Sequence, residues 1–254
     1  MPAPTRIFIS GASAGIGEAL ARHYARSDTV LGLAARRRER LQSVAAGLPG
    51  RSALYVVDVA DRGAVAAAAR DFIAQFGVPD LVIANAGISR GTLGEDEGDL
   101  ETLRRILETN VVGLAATLTA FAPAMRAAGR GTLAGISSVA GFRGIPGSGA
   151  YSASKAAANA WLESLRGELA GSGVSVVAIC PGYVDTDMTR RNGFRMPFLL
   201  PVEVAAKRIA RAIHARRRLA VIPWQMALAS YGLRRMPGWL FDRLMRRAPR
   251  KPRG

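Results

Sequence analysis

Tyr151, Lys155 and Ser138 are the residues of this chain best suited by type and spacing to move a proton. Tyr151 and Lys155 stand four apart, which on a helix puts a phenol and an ammonium on one face. A fixed cation beside a phenol stabilises the phenolate and draws its pKa down from about 10. Such a pair exchanges a proton with a carbonyl or alcohol oxygen near neutral pH. Ser138 lies thirteen residues upstream and adds a hydroxyl. Lysine is scarce: Lys155, Lys207 and Lys251 are the only ones among 35 basic side chains. One at 155 therefore stands out from the arginine background.

A second chemical element lies near the start. Arg6 to Ser10 reads as a short apolar strand that runs into Gly11-Ala12-Ser13-Ala14-Gly15-Ile16-Gly17 and then into helix-favouring residues, Glu18 to Arg26. Glycine lets a backbone turn tightly and approach a ligand closely. The N–H groups and positive dipole end of the following helix suit a pyrophosphate. The spacing is G-x-x-x-G-x-G, not the G-x-G-x-x-G of the better-known dinucleotide fingerprint. On these residues alone the turn is either a phosphate cradle or a tight strand-to-helix connection.

Together the two elements resemble the short-chain dehydrogenase/reductase family, and four further motifs carry the resemblance. Asn85-Ala86-Gly87 follows the strand-like Leu81-Val82-Ile83; Asn110 sits in Thr109-Asn110-Val111; Ser138 closes Ile136-Ser137-Ser138; and Pro181-Gly182-Tyr183-Val184-Asp185-Thr186 matches the family's Pro-Gly turn. The motifs arrive in family order over roughly residues 5 to 225. The resemblance implies a catalytic set of Asn110, Ser138, Tyr151 and Lys155. It implies a nicotinamide dinucleotide held by Gly11, Ser13, Gly15, Ile16, Gly17, Asn85, Ala86, Gly87, Tyr151, Lys155, Pro181, Gly182, Val184 and Thr186, with Asp58 and Val59 at the adenine.

In that scheme Ser138 polarises the substrate oxygen and Tyr151 gives or takes its proton. Lys155 lowers the tyrosine pKa and binds the ribose, and Asn110 holds a water that links Lys155 to solvent. Ser137 points to the other side of its strand. Ser10 and Ala84 depart mildly from the family pattern, which more often has threonine and asparagine there.

Cofactor choice is argued from charge. An acidic residue after the second strand binds the ribose 2′-hydroxyl of NAD. Here that strand ends in Ala35-Arg36-Arg37-Arg38, with Ala35 where the acid would stand. Arginine grips a phosphate through two parallel hydrogen bonds. NADP(H) is therefore expected over NAD(H), with Arg36 as the first contact and Arg37 as the second.

These groups need a scaffold. Apolar runs at 6–10, 29–34, 53–57, 81–84, 132–137, 174–180 and 219–222 alternate with helical stretches. That alternation predicts an α/β fold: a Rossmann-like, doubly wound parallel sheet in a single domain spanning 1–254. Ligands would bind beyond the carboxyl ends of the strands. His23 and His214 lie in polar helical contexts, so no metal site is expected. The lone Cys180 excludes an internal disulfide and reads as a small buried hydrophobe.

The net charge is +16, yet no nucleic-acid-binding motif accompanies it, and nucleic acid is not an expected partner. Residues 234–254 carry eight basic side chains against Asp242 alone, +7 of that total. Met236, Trp239, Leu240 and Leu244 fall there at helical spacing behind Pro237. Residues 224–254 thus read as a basic amphipathic extension suited to an anionic membrane surface. The competing reading is a helix packed on the protein's own substrate cleft or on a second subunit.

Residues 188–200, with Gly193-Phe194-Arg195-Met196-Pro197-Phe198-Leu199-Leu200, read as an apolar substrate lid and point to a hydrophobic carbonyl or alcohol substrate. A 3-oxoacyl thioester reductase and a non-catalytic NADP(H)-binding regulatory protein are the alternatives. The longest uncharged run, Thr109 to Met125, contains Asn110, three threonines and Pro123, poor material for spanning a bilayer. With no signal-peptide pattern, the expected location is cytoplasmic, with peripheral contact at the inner membrane face. The resemblance implies a homodimer or homotetramer, with the alanine-rich helix 154–170 as the pairing surface.

Overall fold

Seven strands alternate with helices along the chain. They are β1 (Arg6–Ser10), β2 (Val30–Ala35), β3 (Arg51–Val56), β4 (Leu81–Ala84), β5 (Gly131–Ile136), β6 (Val174–Pro181) and β7 (Leu219–Ile222). All pair in parallel, in the order β3-β2-β1-β4-β5-β6-β7. The computed structural model describes residues 3–246 and 249–253. Arg247 and Gly254, counted above in the basic tail, lie outside the described residues. Each expected apolar run is a strand, displaced by two residues at most.

Helices cover both faces: α1 (Gly15–Tyr24), α2 (Arg38–Ala46), α3 (Arg62–Phe76), α4 (Asp99–Leu107), α5 (Gly113–Thr119), α6 (Ala122–Ala127), α7 (Gly149–Glu168), α8 (Asp187–Arg190), α9 (Val202–His214), α10 (Trp224–Arg235) and α11 (Gly238–Met245). The central strands are continuous apolar runs because both of their faces are covered. Successive side chains of β1 point to opposite faces. Ile7 and Ile9 join Leu20, Leu33, Ile209 and Ile213 in one core layer. Phe8 joins Phe72, Phe121 and Leu162 in the other. Burying each such ring contributes about 1.5–3 kcal/mol. The rings are closely set, with centroids of Phe8 and Phe121 4.8 Å apart. Gly32 of β2 makes room for them, since a Cβ there would stand 2.6 Å from the Phe8 ring.

This layering positions the site. β1 pairs with β2 on one side and β4 on the other. The chain therefore leaves β1 toward one edge and returns on the opposite side, which opens a crevice beyond the carboxyl ends of β1 and β4. The helical stretch Asp99–Ala127 is long and apolar enough to cross a membrane, with a best-window mean hydropathy of 1.3. Its Leu114, Leu118, Phe121 and Met125 are nonetheless buried in the core layer beneath the sheet.

The C-terminal extension forms α10 and α11 and turns toward the body of the protein. The Arg143 guanidinium lies 4.0 Å from the Phe241 ring centroid and donates to the Met236 carbonyl at 2.6 Å. Further on, the Gly91 N–H donates to the Pro252 carbonyl at 2.9 Å, so the last described residues pass back over the mouth of the crevice.

Candidate active site

The glycine turn is built by close packing. Gly11 has φ +68, and a Cβ on it would lie 2.7 Å from the Ala86 Cα. The Asn85 side-chain amide donates to the Ser10 and Gly11 carbonyls at 3.2 and 3.1 Å, and the Ser10 hydroxyl accepts from the Asn85 N–H at 3.2 Å. Asn85 thus ties the end of β4 to the turn after β1. Gly15 has φ +57 and faces Thr186 across the crevice, with 3.2 Å from a hypothetical Cβ to the Thr186 methyl. The N-cap of α1, Ala14, offers no side-chain acceptor, so the first N–H groups of this helix are left to water or a ligand.

One cavity of about 390 Å³ runs along these strand ends. It is lined by Gly11, Ser13, Gly15, Ile16, Arg36, Arg37, Asp58, Val59, Asn85, Ala86, Gly87, Ser138, Tyr151, Lys155, Pro181, Gly182, Val184 and Thr186. Two residues expected at the site, Gly17 and Asn110, are not on its wall. Gly17 lies beneath the turn, where a Cβ would stand 2.2 Å from the Gly11 carbonyl oxygen. Asn110 is fully buried behind Ile88. Its Oδ1 accepts from the Ile88 N–H at 2.8 Å, and its Nδ2 donates to the Ile88 carbonyl at 2.9 Å and the Ser154 hydroxyl at 3.0 Å. Ser154 in turn donates to the Tyr151 carbonyl at 2.7 Å. Asn110 therefore positions the cavity wall and α7, and it does so from a π turn, Glu108–Val112, set into the long helix.

Ser138, Tyr151 and Lys155 converge at the other end of the cavity. Ser138 ends β5's extension; its Oγ accepts from the Ala140 N–H at 3.1 Å and faces the Tyr151 phenol. Ser137 points the other way, as alternation requires, and donates to the Lys155 carbonyl at 3.1 Å. Lys155 is 4 % exposed and its Nζ donates to the Ile136 carbonyl at 2.9 Å. Burial lowers its pKa to about 8.

In this structure burial works against the expected depression of the Tyr151 pKa. Burial raises it, against the hydrogen bond with Ser138, which lowers it. The Lys155 Nζ, anchored on the Ile136 carbonyl, lies 5.7 Å from the Tyr151 ring centroid. Buried Cys180 is a free thiol pushed up to about 12 by burial, too basic to act as a nucleophile at neutral pH.

At the far end Arg36 Nη1 sits 3.6 Å from Asp58 Oδ2, and Arg37 Nη2 donates to the Ser13 hydroxyl at 3.3 Å. Both partners of the Arg36–Asp58 pair are exposed, so it is weak. A cradle that admits no Cβ at Gly11 and an uncapped helix start fit a nicotinamide dinucleotide.

Sequence reasoning missed several residues of the site. Ser10, Ile88 and Ser154 act through backbone bracing, which no side-chain motif announces. Lys251 was readable: the scarcity that singles out Lys155 applies to it equally. Its Nζ bonds the Ser89 hydroxyl and lies 5.2 Å from the Tyr151 ring centroid.

Residues 5–195 match the family model described as short chain dehydrogenase. An uncharacterized oxidoreductase of Myxococcus xanthus is 40% identical over 94% of this chain and 95% of its own length. The dehydrogenase/reductase SDR family member 7B of Bos taurus is 32% identical over 97% of this chain and 82% of its own. Among solved structures, a short-chain dehydrogenase from Streptomyces avermitilis superposes with a TM-score of 0.81 at 27% identity, covering 90% and 92% of the two chains. An alcohol dehydrogenase from Thermococcus sibiricus, complexed with 5-hydroxy-NADP, gives 0.73 at 27% identity, covering 86% and 94%.

Proposed function

This chain belongs to the short-chain dehydrogenase family of oxidoreductases, and from that premise we propose that it is an NADP(H)-dependent enzyme that interconverts a carbonyl and an alcohol. The observation that carries the reading is the meeting of Ser138, Tyr151 and Lys155 in the cavity that also holds the glycine turn and Arg36. A bound nicotinamide supplies or accepts the hydride. The chain's own groups handle the oxygen: Ser138 orients it and Tyr151 donates its proton in reduction or accepts it in oxidation. Lys155, charged below pH about 8, stabilises the phenolate by Coulomb attraction across a site of low dielectric. Asn110 keeps Ile88 and α7 in register.

Preference for NADP(H) is supported by the absence of a carboxylate at Ala35, and by the NADP analogue bound to the Thermococcus relative. Titrating NADPH and NADH against wild type and Arg36→Ala, followed by nucleotide fluorescence, tests it. Wild type is expected to favour NADPH, and the variant to lose about 10- to 100-fold for NADPH while NADH is little changed, the worth of a charge-assisted contact. Equal weakening of both nucleotides would remove Arg36 from the 2′-phosphate. NADPH binding with no turnover across ketones, aldehydes and 3-oxoacyl thioesters would favour the regulatory alternative.

Apolar surface supports a lipophilic substrate and a membrane contact. In 188–200, the lid of this reading, Phe198 and Leu199 are exposed. In 224–254, Trp224, Leu228, Tyr231, Trp239 and Leu244 are also exposed, with Trp239 at 69%. Arg234, Arg235, Arg243 and Arg246 are interspersed among them, the composition of an interfacial helix. A cytoplasmic protein touching the inner membrane face matches this surface. Sedimentation with phosphatidylglycerol vesicles is expected for wild type and lost in the double variant Trp224→Ser, Trp239→Ser; unchanged sedimentation would remove the contact. The exposed small face of α7, Ala153, Ala156, Ala157 and Ala160, supports pairing into a homodimer or homotetramer.

A further inference from the structure

Beside the cofactor cavity lies a second one of about 350 Å³, and its walls are basic. Arg36, Arg90, Arg105, Arg191 and Lys251 line it. The one carboxylate on the wall, Asp187, stands 3.5 Å from Arg190. Arg90, Arg105 and Arg191 make no ion pair among the described residues. Ile88, Ile106, Met188 and Pro252 supply apolar surface between the cations. Gly87, Ile88, Met188 and Arg191 border both cavities, so the two are continuous.

Lys251 is brought there by the end of the chain. The Gly91 N–H holds the Pro252 carbonyl at 2.9 Å, and Arg253 pairs with Asp99 at 3.1 Å and with Asp96. Two glycines accept the strap: a Cβ at Gly91 would lie 2.2 Å from the Lys251 carbonyl oxygen, and one at Gly147 would lie 2.8 Å from the Arg250 Cβ. The strap seats an ammonium beside Tyr151, 5.2 Å from its ring centroid. Among the described residues the Lys251 ammonium has a hydroxyl as its hydrogen-bond partner, and a partly desolvated cation so placed gains from an anion.

We propose that this cavity receives the anionic part of the substrate, a carboxylate or phosphate carried by an otherwise apolar carbonyl compound, with Lys251 as the contact nearest the reacting carbon. The inference rests on the reading of Tyr151 as proton donor. It refines the lipophilic substrate expected from the lid into an amphiphile with an anionic head.

Two arms test it. In the first, kcat/KM with NADPH is measured for 3-oxooctanoate and its methyl ester in wild type, Lys251→Met and Arg105→Gln. The acid is expected to be preferred about tenfold or more, the worth of a charged hydrogen bond, and the preference is expected to collapse in Lys251→Met through KM. In the second, calorimetry compares octanoate, octyl phosphate and octanol, none of which is reducible. Tighter binding of either anion than of octanol, lost in Lys251→Met, supports the site, and the stronger of the two identifies the head group. Equal treatment of acid and ester, or a preference that survives Lys251→Met, would overturn it. So would anions that bind only by displacing NADPH, since they would then occupy the cofactor's phosphate positions. Should no carbonyl be reduced, the oxidoreductase reading of Tyr151 fails, and the calorimetric arm alone decides the cavity: anion binding indifferent to Lys251 ends the proposal.

Discussion

Tyr151→Phe is expected to lower kcat for carbonyl reduction about a thousandfold while leaving NADPH affinity within about twofold, because a positioned proton donor contributes about 10²–10⁴ in rate. The substitution deletes one oxygen and keeps the ring, so the wall beside Lys155 and Lys251 is preserved. The lost hydroxyl faces Ser138, whose Oγ still accepts from the Ala140 N–H. Nothing in the glycine turn or at Arg36 touches the deleted atom. Single-turnover reduction with bound NADPH isolates the chemical step. A variant that retains more than about a tenth of wild-type kcat would show that the proton comes from elsewhere, and would return the protein to the binding-module alternative.

Lys155→Met is expected to be as damaging to turnover and yet to stabilise the fold at neutral pH. Lys155 is buried, and its pKa is lowered from its ordinary value to about 8. Between that value and the ordinary lysine value of about 10.4, the unfolded chain binds more protons than the folded one. Stability therefore rises with pH across this window. Put the other way, the penalty of burying the ammonium is fully present below pH 8 and is relieved as the pH climbs.

Methionine carries no such penalty, although it leaves the Ile136 carbonyl without its donor, at a cost of about 1 kcal/mol. The net gain expected at pH 7 is on the order of 1–2 kcal/mol, or about 2–6 °C in Tm for a chain of this size. It should shrink toward zero, or reverse, by pH 10.5. Thermal melts at pH 7 and pH 10.5 check this, and a lower Tm at pH 7 would show that the Ile136 bond outweighs the desolvation. The same titration bears on rate. As Lys155 loses its proton above pH about 8, phenolate stabilisation fades, so the reductase rate of wild type should decline there.

These two variants act on residues that the chain announces openly. A phenol and an amine four residues apart can be recognised without a structure because helical geometry alone puts them on one face. The strands are equally plain: both faces of the sheet are covered, so they appear as unbroken apolar runs, and all seven were recoverable within two residues. The glycine turn was legible for the same kind of reason, since positive φ at Gly11 and Gly15 is a local requirement written in local residues. Arg36 and Arg37 after β2 reach the cavity for the same short-range reason, since they follow directly on the strand end.

The remainder depended on contacts between distant parts of the chain. The sequence does not show that the Asn110 amide is bound to Ile88 and Ser154, twenty-two and forty-four residues away. The effect expected of Lys155 on the Tyr151 pKa is set against burial of the phenol, which raises it, and the Ile136 carbonyl anchors the ammonium. The basic tail reads as a membrane helix when viewed as a periodic pattern. Its last residues fold back so that Lys251 meets Ser89 across 162 positions. Periodicity, turn chemistry and charge next to a strand end are short-range properties, and the sequence alone determined what rests on them: the α/β sheet, the glycine turn and the spacing that puts Tyr151 and Lys155 on one helix. Which group each side chain faces, and therefore the pKa values and the basic wall of the second cavity, is a property of packing among elements far apart in sequence, and only the tertiary structure decided it.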